Sequence, residues 1–456
     1  MLGQKPNLTK EPPMAEALSD KTIEIVKSTV PALEAGGTAI TDRMHQLMFR
    51  HAEVRALFNQ SHHGETGSQS KALTAAIIAY ARNIDNLGVL ASRIERITQK
   101  HCGLNILSEH YHFVAESLLG AIKEVLGEAA TEEVLVAWGE AYWFLADVLM
   151  AREASIYLRL AAAPEGWSGS RDFVIESTKA ESDVIRSFLL MPKDGRGVIR
   201  HQPGQYLTFA LELPGREPLK RNYSISSGPG DRSYRISVKR EAEPGVPPGI
   251  VSNWLHDQTG PGTVLKVAPP AGEFFLNEKE DNPVVLVSGG VGLTPMVSML
   301  EHAVHSGSGR PLWYVHGAEN GRVHAMGMHV RELAAEARNV TVRTFYNAPD
   351  PGDETGCDYD ERGLITGSWL ARNTPIEKAA YYLCGPRPFL RDGRRPGAHR
   401  RGAQPHPLRV LRSRRRAAGG LKVRSCPVAQ HTLLSILGWV GPKNLPGADC
   451  HEARSG

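Results

Sequence analysis

The chain has 456 residues, 41% of them hydrophobic, so it is long enough for about three domains of roughly 150 residues each. Residues 391–456 carry 14 Lys and Arg against three Asp and Glu, whereas residues 1–390 carry 39 basic and 46 acidic side chains. The net charge of +4 therefore comes from a basic tail on a mildly acidic body, which argues against a nucleic-acid-binding protein.

Residues 20 to about 160 are predicted to be helical. Apolar residues recur there at spacings of three and four, as within residues 23–30 and again within residues 134–149. Ser19 has the position of the first helix cap. Residues 161–167 contain Pro and Gly, which end the helical part.

The pattern then changes to short β segments divided by Gly and Pro turns, which predicts a small antiparallel barrel. These segments are residues 173–175, 206–211, 223–225 and 234–238. From Pro283 onward, strand, glycine turn and helix alternate, which predicts a parallel α/β domain. Its strand candidates are residues 284–288, 312–316, 340–345 and 381–384. The predicted domains are residues 15–163, 168–278 and 279–390, followed by a tail at 391–456.

His101 is the candidate haem ligand in the helical part. Haem iron needs one axial imidazole, and the other ring nitrogen of that imidazole must be held. His101 ends a helical stretch, and Tyr111 and Glu153 could supply the holding network. A carboxylate in this network increases the electron density on the imidazole, which favours oxygen activation over storage. The alternative is that His101 is one of 18 His residues, placed where its charge suits a helix C-terminus.

The barrel segment contains a candidate flavin motif. A flavin needs an aromatic face, hydroxyl or amide groups at its edge, and cationic and backbone donors for its pyrophosphate. Arg221, Tyr223 and Ser224 offer these groups, and they follow Tyr206 at a distance that could place both segments on neighbouring strands. Residues 249–252 could add backbone donors. Taken alone, the short motif at residues 221–224 could also be an ordinary strand segment that matches by chance.

The α/β segment contains a candidate phosphate-binding loop. Gly290 and Gly292 follow an apolar strand and precede a helical run, so backbone amides and a helix N-terminus could approach phosphate. The third glycine of the dinucleotide fingerprint is missing, so a plain tight turn is the alternative.

In this order the motifs resemble the flavohemoglobin family, a globin fused to a ferredoxin-reductase-like module that acts as a nitric oxide dioxygenase. The matching globin segments are residues 30–33, 48–49, 56–59, 67–69, 100–101, 110–111, 137–139 and 152–154. The resemblance implies that His101 is the proximal iron ligand, with Tyr111 and Glu153 supporting it. Phe58 would pack against the porphyrin, and Gln69 would face the distal side.

The same resemblance implies haem b, FAD and NAD(P)H as cofactors. The implied FAD residues are Tyr206, Arg221, Tyr223, Ser224, Val251 and Ser252. The implied NAD(P)H residues are Gly290, Gly292, Thr294 and Pro295, together with Cys384, Gly385 and Pro386.

His45 departs from the family pattern. The family's distal tyrosine, which hydrogen-bonds oxygen, falls on His45 in the register fixed by residues 30–31 and 48–49. An imidazole can donate a similar hydrogen bond, and it can also ligate the iron and slow oxygen binding. Both interpretations are open at this point.

The predicted reaction joins nitric oxide and oxygen to give nitrate, with electrons passing from NAD(P)H through FAD. One alternative is a non-enzymatic gas-binding or sensor globin with a defective reductase, and another is a flavin-based ferric or quinone reductase. Five scattered Cys without a Cys-x-x-Cys pair indicate a reducing compartment, and no apolar run approaches the roughly 18 residues of a membrane span. We expect a cytoplasmic monomer without nucleic-acid partners or an integral membrane segment.

The tail from residue 391 breaks the resemblance. It is rich in Arg, Pro and Gly, which is typical of a disordered extension. A frameshift is the sharper hypothesis, because synonymous codons for residues 391–422, read one base later, give an ending with Tyr-Glu-Phe-Phe-Gly and a stop within the codons of Leu421 and Lys422. In the family this ending supplies the last helix and strand and brings a Glu and an aromatic side chain to the flavin. We therefore expect an exposed sheet edge and weakened nicotinamide binding.

Overall fold

The computed structural model describes residues 17–57, 68–242, 245, 247–386 and 422–426. Its first part is helical, as predicted. The helices are α1 Asp20–Ser28, α2 Val30–Ala35, α3 Ala39–Met48, α4 Ala52–Leu57, α5 Ser68–Arg82, α6 Ala91–Gly103, α7 His110–Leu126 and α8 Glu132–Ala162. The hydroxyl of Ser19 accepts a hydrogen bond from the amide of Thr22 at 3.1 Å, so the predicted cap does start α1.

Helix α8 is the core of the helical part. Its 31 residues include a window long and apolar enough, by length and composition, to span a membrane. It packs instead against α1, α6 and α7, with Trp138 and Ala141 fully buried between them. Glu153 lies on the same helix with only 4% of its side chain exposed, so α8 also carries a buried carboxylate.

The second part is a six-stranded antiparallel sheet in the order β4-β3-β6-β1-β2-β5, as predicted. Its elements are β1 Arg171–Ala180, β2 Ile185–Pro192, β3 Tyr206–Leu211, β4 Leu219–Ser224, β5 Tyr234–Lys239, α9 Ile250–Gln258 and β6 Val264–Val267. A bridge between Ile225 and Ile236 joins the end of β4 to β5, the two edge strands. This bridge closes the sheet into a barrel around one apolar core.

The third part is a parallel sheet in the order β10-β9-β8-β7-β11-β12. Its elements are β7 Val284–Gly289, α10 Leu293–His305, β8 Leu312–Ala318, α11 Gly327–Glu336, β9 Val340–Tyr346, β10 Glu361–Arg362, α12 Gly367–Asn373, β11 Ala380–Cys384 and β12 Lys422–Ser425. All six residues of β7 are buried, because helices cover both faces of a parallel sheet. The predicted α/β architecture is confirmed.

Strand β12 differs from two expectations for the tail. Lys422–Ser425 pair in parallel with Ala380–Leu383, so this edge of β11 is covered there rather than exposed, and these four tail residues are ordered as a strand. Backbone pairing needs little from the side chains, and Arg424 adds a contact over the ring of Tyr382 at 5.9 Å. The other residues of 391–456 lie outside the described part of the chain.

Glu301 on α10 joins the barrel to the parallel-sheet part. Its carboxylate accepts hydrogen bonds from Arg235 on β5 at 2.5 Å, from the amide of Gly228 at 2.5 Å and from His329 on α11 at 2.7 Å. Burial raises the pKa of Glu301, but the bond from His329 and the charge of Arg235 outweigh burial and lower it to about 2. The charged carboxylate therefore stabilises the contact between these two domains.

We expect acid to weaken this contact between pH 4.5 and about 2. A group with a depressed folded-state pKa contributes stability above its unfolded value of 4.5, and that stability is lost as pH falls through the folded value of about 2. Glu301→Gln should thus lower the thermal midpoint at pH 7 and flatten its pH dependence in this window. Glu278→Gln, in a more exposed pair with His302, is the control for thermal melts across pH 2–7. Parallel melting profiles for Glu301→Gln and the unaltered protein would contradict the prediction.

Candidate haem, flavin and nucleotide site

His101 lies near the end of α6 and meets two side chains from other helices. Its Nδ1 atom is 2.7 Å from Oε1 of Glu153 on α8 and 3.2 Å from the hydroxyl of Tyr111 on α7. The Tyr111 hydroxyl donates to the same Glu153 oxygen at 2.7 Å. The structure therefore brings together the three residues that the sequence singled out.

This arrangement suits an axial haem ligand. A carboxylate only accepts hydrogen bonds, so the proton of the neutral His101 ring lies on Nδ1, and Nε2 keeps its lone pair. Among the described residues, Nε2 has no hydrogen-bond partner. Burial and the neighbouring Glu153 charge raise the pKa of Tyr111, so its hydroxyl stays a donor. The donor set thus fits a haem iron bound at Nε2.

We expect Glu153→Gln to weaken binding of a haem iron by His101 while leaving the helical part folded. A neutral amide draws less charge onto the imidazole, so the haem midpoint potential should rise and haem affinity should fall by about 10- to 100-fold. Potentiometry and the iron–histidine stretching frequency measure both effects. Glu133→Gln, on the same helix but paired with Lys21 at the surface, is the control. An unshifted potential in Glu153→Gln would exclude this role.

The expected distal residues are only partly within the described structure. His45 lies on α3, half-buried, with Nδ1 3.4 Å from the hydroxyl of Ser70 on α5, and its ring stacks on Phe49. Gln69 lies in the first turn of α5, but its side chain is outside the described residues. Phe58 lies outside them entirely.

The candidate flavin residues lie on two paired strands but on two faces. Tyr206 on β3 is directly opposite Ser224 on β4, and Phe209 is opposite Arg221. Because side chains alternate along a strand, Tyr206 and Ser224 share one face, whereas Arg221 and Tyr223 share the other. The predicted pairing of the two segments is correct, and the candidate site includes both faces of this strand pair.

The Arg221 guanidinium on β4 is half-buried, and its Nη1 donates to the carbonyl of Lys220 at 2.8 Å. Burial lowers its pKa, which is typical of a cation held away from water. Val251 and Ser252 lie in the first turn of α9 and are buried. The Ser252 hydroxyl is already used, because it donates to the carbonyl of Gly249 and accepts from the amide of Glu241. The helix N-terminus rather than this hydroxyl is therefore the group available to the pyrophosphate.

The two halves of the candidate nicotinamide site touch each other. A Cβ atom at Gly292 would lie 2.3 Å from the carbonyl oxygen of Cys384 and 2.7 Å from the amide nitrogen of Gly385. Only glycine permits this approach, and Gly290 adopts a φ of +52°. Thr294 and Pro295 begin α10, and Pro386 follows Gly385 in the loop after β11. The glycines thus form a cradle of backbone at the carboxyl end of the sheet, where α/β domains bind nucleotides.

The structure adds contacts between α6 and the barrel that the sequence analysis missed. The amide of Gly272 donates to Oε1 of Gln99 at 3.3 Å, and Arg96 pairs with Glu273 at 2.7 Å. Lys220 on β4 donates to the carbonyl of Leu104, the C-cap of α6, and burial lowers the pKa of Lys220 to about 8. We call this set the α6–barrel contact. Its partners lie more than 100 residues apart, so no local motif could reveal it.

Comparisons with known proteins identify the family and the order of its parts. The family described as "Globin" matches residues 41–149, and the family described as "Oxidoreductase NAD-binding domain" matches residues 286–395. A flavohemoprotein of Xylella fastidiosa (strain Temecula1) is 50% identical over 378 residues, covering 83% of this chain and 92% of the relative. A flavohemoprotein of Rhodopirellula baltica is 42% identical over 379 residues, covering 82% of this chain and 93% of that relative.

The fold also resembles a solved structure. The crystal structure of a Malassezia yamatoensis flavohemoglobin with bound FAD and heme superimposes with a TM-score of 0.73 at 21% identity. The match covers 90% of this chain and 98% of that chain. This likeness supports the same order of a helical part, an antiparallel barrel and a parallel sheet.

Proposed function

Because the chain belongs to the flavohemoprotein family, we propose that it joins nitric oxide to dioxygen to form nitrate, with electrons from NAD(P)H. The family makes it a globin–reductase oxidoreductase with haem, FAD and NAD(P)H as cofactors. The observation that carries the proposal is the 2.7 Å hydrogen bond between His101 and the buried Glu153 carboxylate. Nitric oxide and dioxygen are its substrates, and we expect it to act in the cytoplasm as a monomer.

Bound haem supplies the iron at which the two gases combine, and bound FAD divides the electron pair of a hydride into single electrons. His101 would hold the iron through Nε2, while Glu153 keeps the ring proton on Nδ1. Tyr111 fixes the direction of that carboxylate by donating its hydroxyl proton to it. This pairing increases the basicity of the ligand, which favours oxygen activation over storage.

On the distal side, His45 would take the place of the family tyrosine and donate a hydrogen bond to oxygen. Its Nδ1 atom lies within reach of Ser70, which can orient the ring. Gln69 and Phe58 would complete the pocket. In the reductase part, Tyr206, Tyr223 and Ser224 would hold the flavin ring.

The remaining cofactor residues would hold the phosphates and the nicotinamide. Arg221 and the N-terminus of α9, at Val251 and Ser252, would bind the FAD pyrophosphate. The close approach of Gly292 to Cys384 and Gly385 would let the nucleotide lie against the backbone there. Gly290, Thr294, Pro295 and Pro386 flank this cradle.

The test is turnover of nitric oxide by the purified protein loaded with haem and FAD. A nitric oxide electrode and a nitrate assay should record one nitrate for each nitric oxide consumed, dependent on both oxygen and NADH or NADPH. A gas-binding globin would instead bind nitric oxide without turnover. A flavin reductase would oxidise NAD(P)H with a ferric chelate and produce no nitrate. Either of these two results would replace the dioxygenase proposal.

A further inference from the structure

Gly103 ends α6 two residues after His101 and faces the barrel. A Cβ atom added there would lie 2.9 Å from Oγ1 of Thr208 and 3.4 Å from Cε2 of Tyr206. Cβ atoms are essentially never found within 3.0 Å of a non-bonded heavy atom, so any larger residue would move α6, β3 or Thr208. The backbone of Gly103 is helical and its φ is not positive, so the need for glycine here is steric rather than conformational.

Thr208 has little room to yield. It is 3% exposed, and a β-branched side chain on a strand has few χ1 rotamers. Within the described part of the chain, its hydroxyl is buried without a hydrogen-bond partner. The hydroxyl therefore mainly fills space next to Gly103, and its removal should break no hydrogen bond.

The ring of Tyr206 is enclosed from both sides by glycines. A Cβ atom at Gly272, whose φ is +114°, would lie 2.9 Å from Cε1 of Tyr206, while Gly103 approaches the ring at Cε2. The amide of Gly272 also donates to Gln99 on α6. The helix that carries His101 and the loop that carries Gly272 thus hold one flavin-side tyrosine between them.

The same helix is linked to the segment that supports His101. Gln99 donates to Oε1 of Glu95 at 2.8 Å, and Glu95 accepts from Arg152 at 2.7 and 2.9 Å. Arg152 directly precedes Glu153 on α8. A shift of α6 away from the barrel would therefore disturb both the flavin-side ring and the polar network beside the imidazole.

We propose that Gly103 is a positioning residue whose missing side chain lets α6 rest on Tyr206 and so fixes the separation between the haem ligand and the flavin site. This inference rests on the proposed function, because it concerns delivery of single electrons from flavin to haem within one chain. Neither Gly103 nor Thr208 touches a reacting atom. They act through the position of Tyr206 and His101.

The experiment uses the full chain loaded with haem and FAD, without nitric oxide or nicotinamide. The flavin is reduced photochemically, and the Soret band reports the change from ferric to ferrous haem. Gly103→Ala should slow this step about tenfold, because displacements near 1 Å at a reacting centre have effects of that order or larger. Gly139→Ala is the matched control, because a Cβ there meets only Leu119 at the ordinary distance of 3.9 Å.

Second-site variants separate positioning from general damage. Gly103→Ala with Thr208→Ala should recover the rate to within about twofold, because the space is restored, whereas Gly103→Ala with Thr208→Val keeps the bulk and should stay slow. Amide hydrogen exchange at residues 96–104 and 271–273 should rise in Gly103→Ala and fall back in the Thr208→Ala double variant.

Two results overturn the proposal. One is a Gly103→Ala rate and exchange pattern equal to those of Gly139→Ala. The other is a slow rate that Thr208→Ala does not recover, including the case in which Gly103→Ala loses haem or FAD. A parent protein that gives these rate effects but forms no nitrate would disprove the proposed function and leave this inference intact.

Discussion

His101→Ala is expected to remove the Soret band of the purified protein and to abolish nitric oxide consumption. In the described part of the chain, His101 is the imidazole whose Nδ1 is held by a buried carboxylate and a tyrosine hydroxyl together. Without the imidazole, Glu153 and Tyr111 remain paired with each other, but no nitrogen is left at this position to bind the iron. Because changes to residues that only support a ligand already cost about 10- to 100-fold, loss of the ligand itself should exceed that range.

The same variant distinguishes the dioxygenase from a flavin reductase. FAD content and reduction of a ferric chelate should persist in His101→Ala, because the barrel does not depend on the imidazole. Added imidazole should restore part of the Soret band in His101→Gly, where the cavity admits the free ligand. His112→Ala, at an exposed position on α7, is the control. A full Soret band in His101→Ala would show that another residue ligates the iron.

The haem ligand set is the part of the site that could best be predicted from the sequence. His101, Tyr111 and Glu153 lie on three successive helices of a domain with strong helical periodicity, and their distances of 2.7 to 3.2 Å agree with the expected network. Helix α8 brings Glu153 to the end of α6 because the apolar residues of α8 pack on α6. Here the apolar pattern that fixes the fold also places the polar residues.

Other features depend on pairings that no local pattern encodes. The sequence placed Tyr206 near Ser224 but could not show that the same strand face meets α6 through Gly103. That contact needs a glycine within a helix. In the sequence such a glycine indicates only a low helix propensity and gives no sign of a close contact. The hydrogen bonds of Glu301 to Arg235 and to Gly228 also join residues of separate domains, at sequence distances of 66 and 73 residues. Burial of this carboxylate becomes evident only once the barrel and α10 are packed.

The C-terminal edge shows a further limit of sequence reasoning. A break in the resemblance at residue 391 predicted an uncovered strand, but Lys422–Ser425 pair with β11. Any short extended segment can hydrogen-bond to a free parallel edge, because the ladder is formed by backbone groups. Pairing of this kind does not supply the Glu and the aromatic side chain that the family ending brings to the flavin.

Restoring the alternative reading frame at codon 391 is therefore expected to accelerate NADH- or NADPH-driven haem reduction by about 10²-fold or more. The chain as written keeps the Gly292–Cys384 contact and the barrel, so its nucleotide cradle is present. What the family ending would add is the final helix and strand beside β11, with a carboxylate and an aromatic ring against the flavin. A better-oriented hydride donor is the expected cause of the faster reduction, because orientation has a large effect on transfer rates.

Anaerobic stopped-flow spectroscopy of the two proteins measures this difference at the Soret band. Photochemical reduction of the flavin is the internal control, because it bypasses the nicotinamide and should give equal haem reduction in both chains. A difference seen only with NAD(P)H is then a difference in the rate of hydride transfer from the nucleotide to the flavin. Equal NAD(P)H-driven rates would mean that the tail with β12 substitutes fully for that ending. Resequencing of the gene tests the origin of the tail separately, since an unbroken frame through codon 391 would exclude the frameshift.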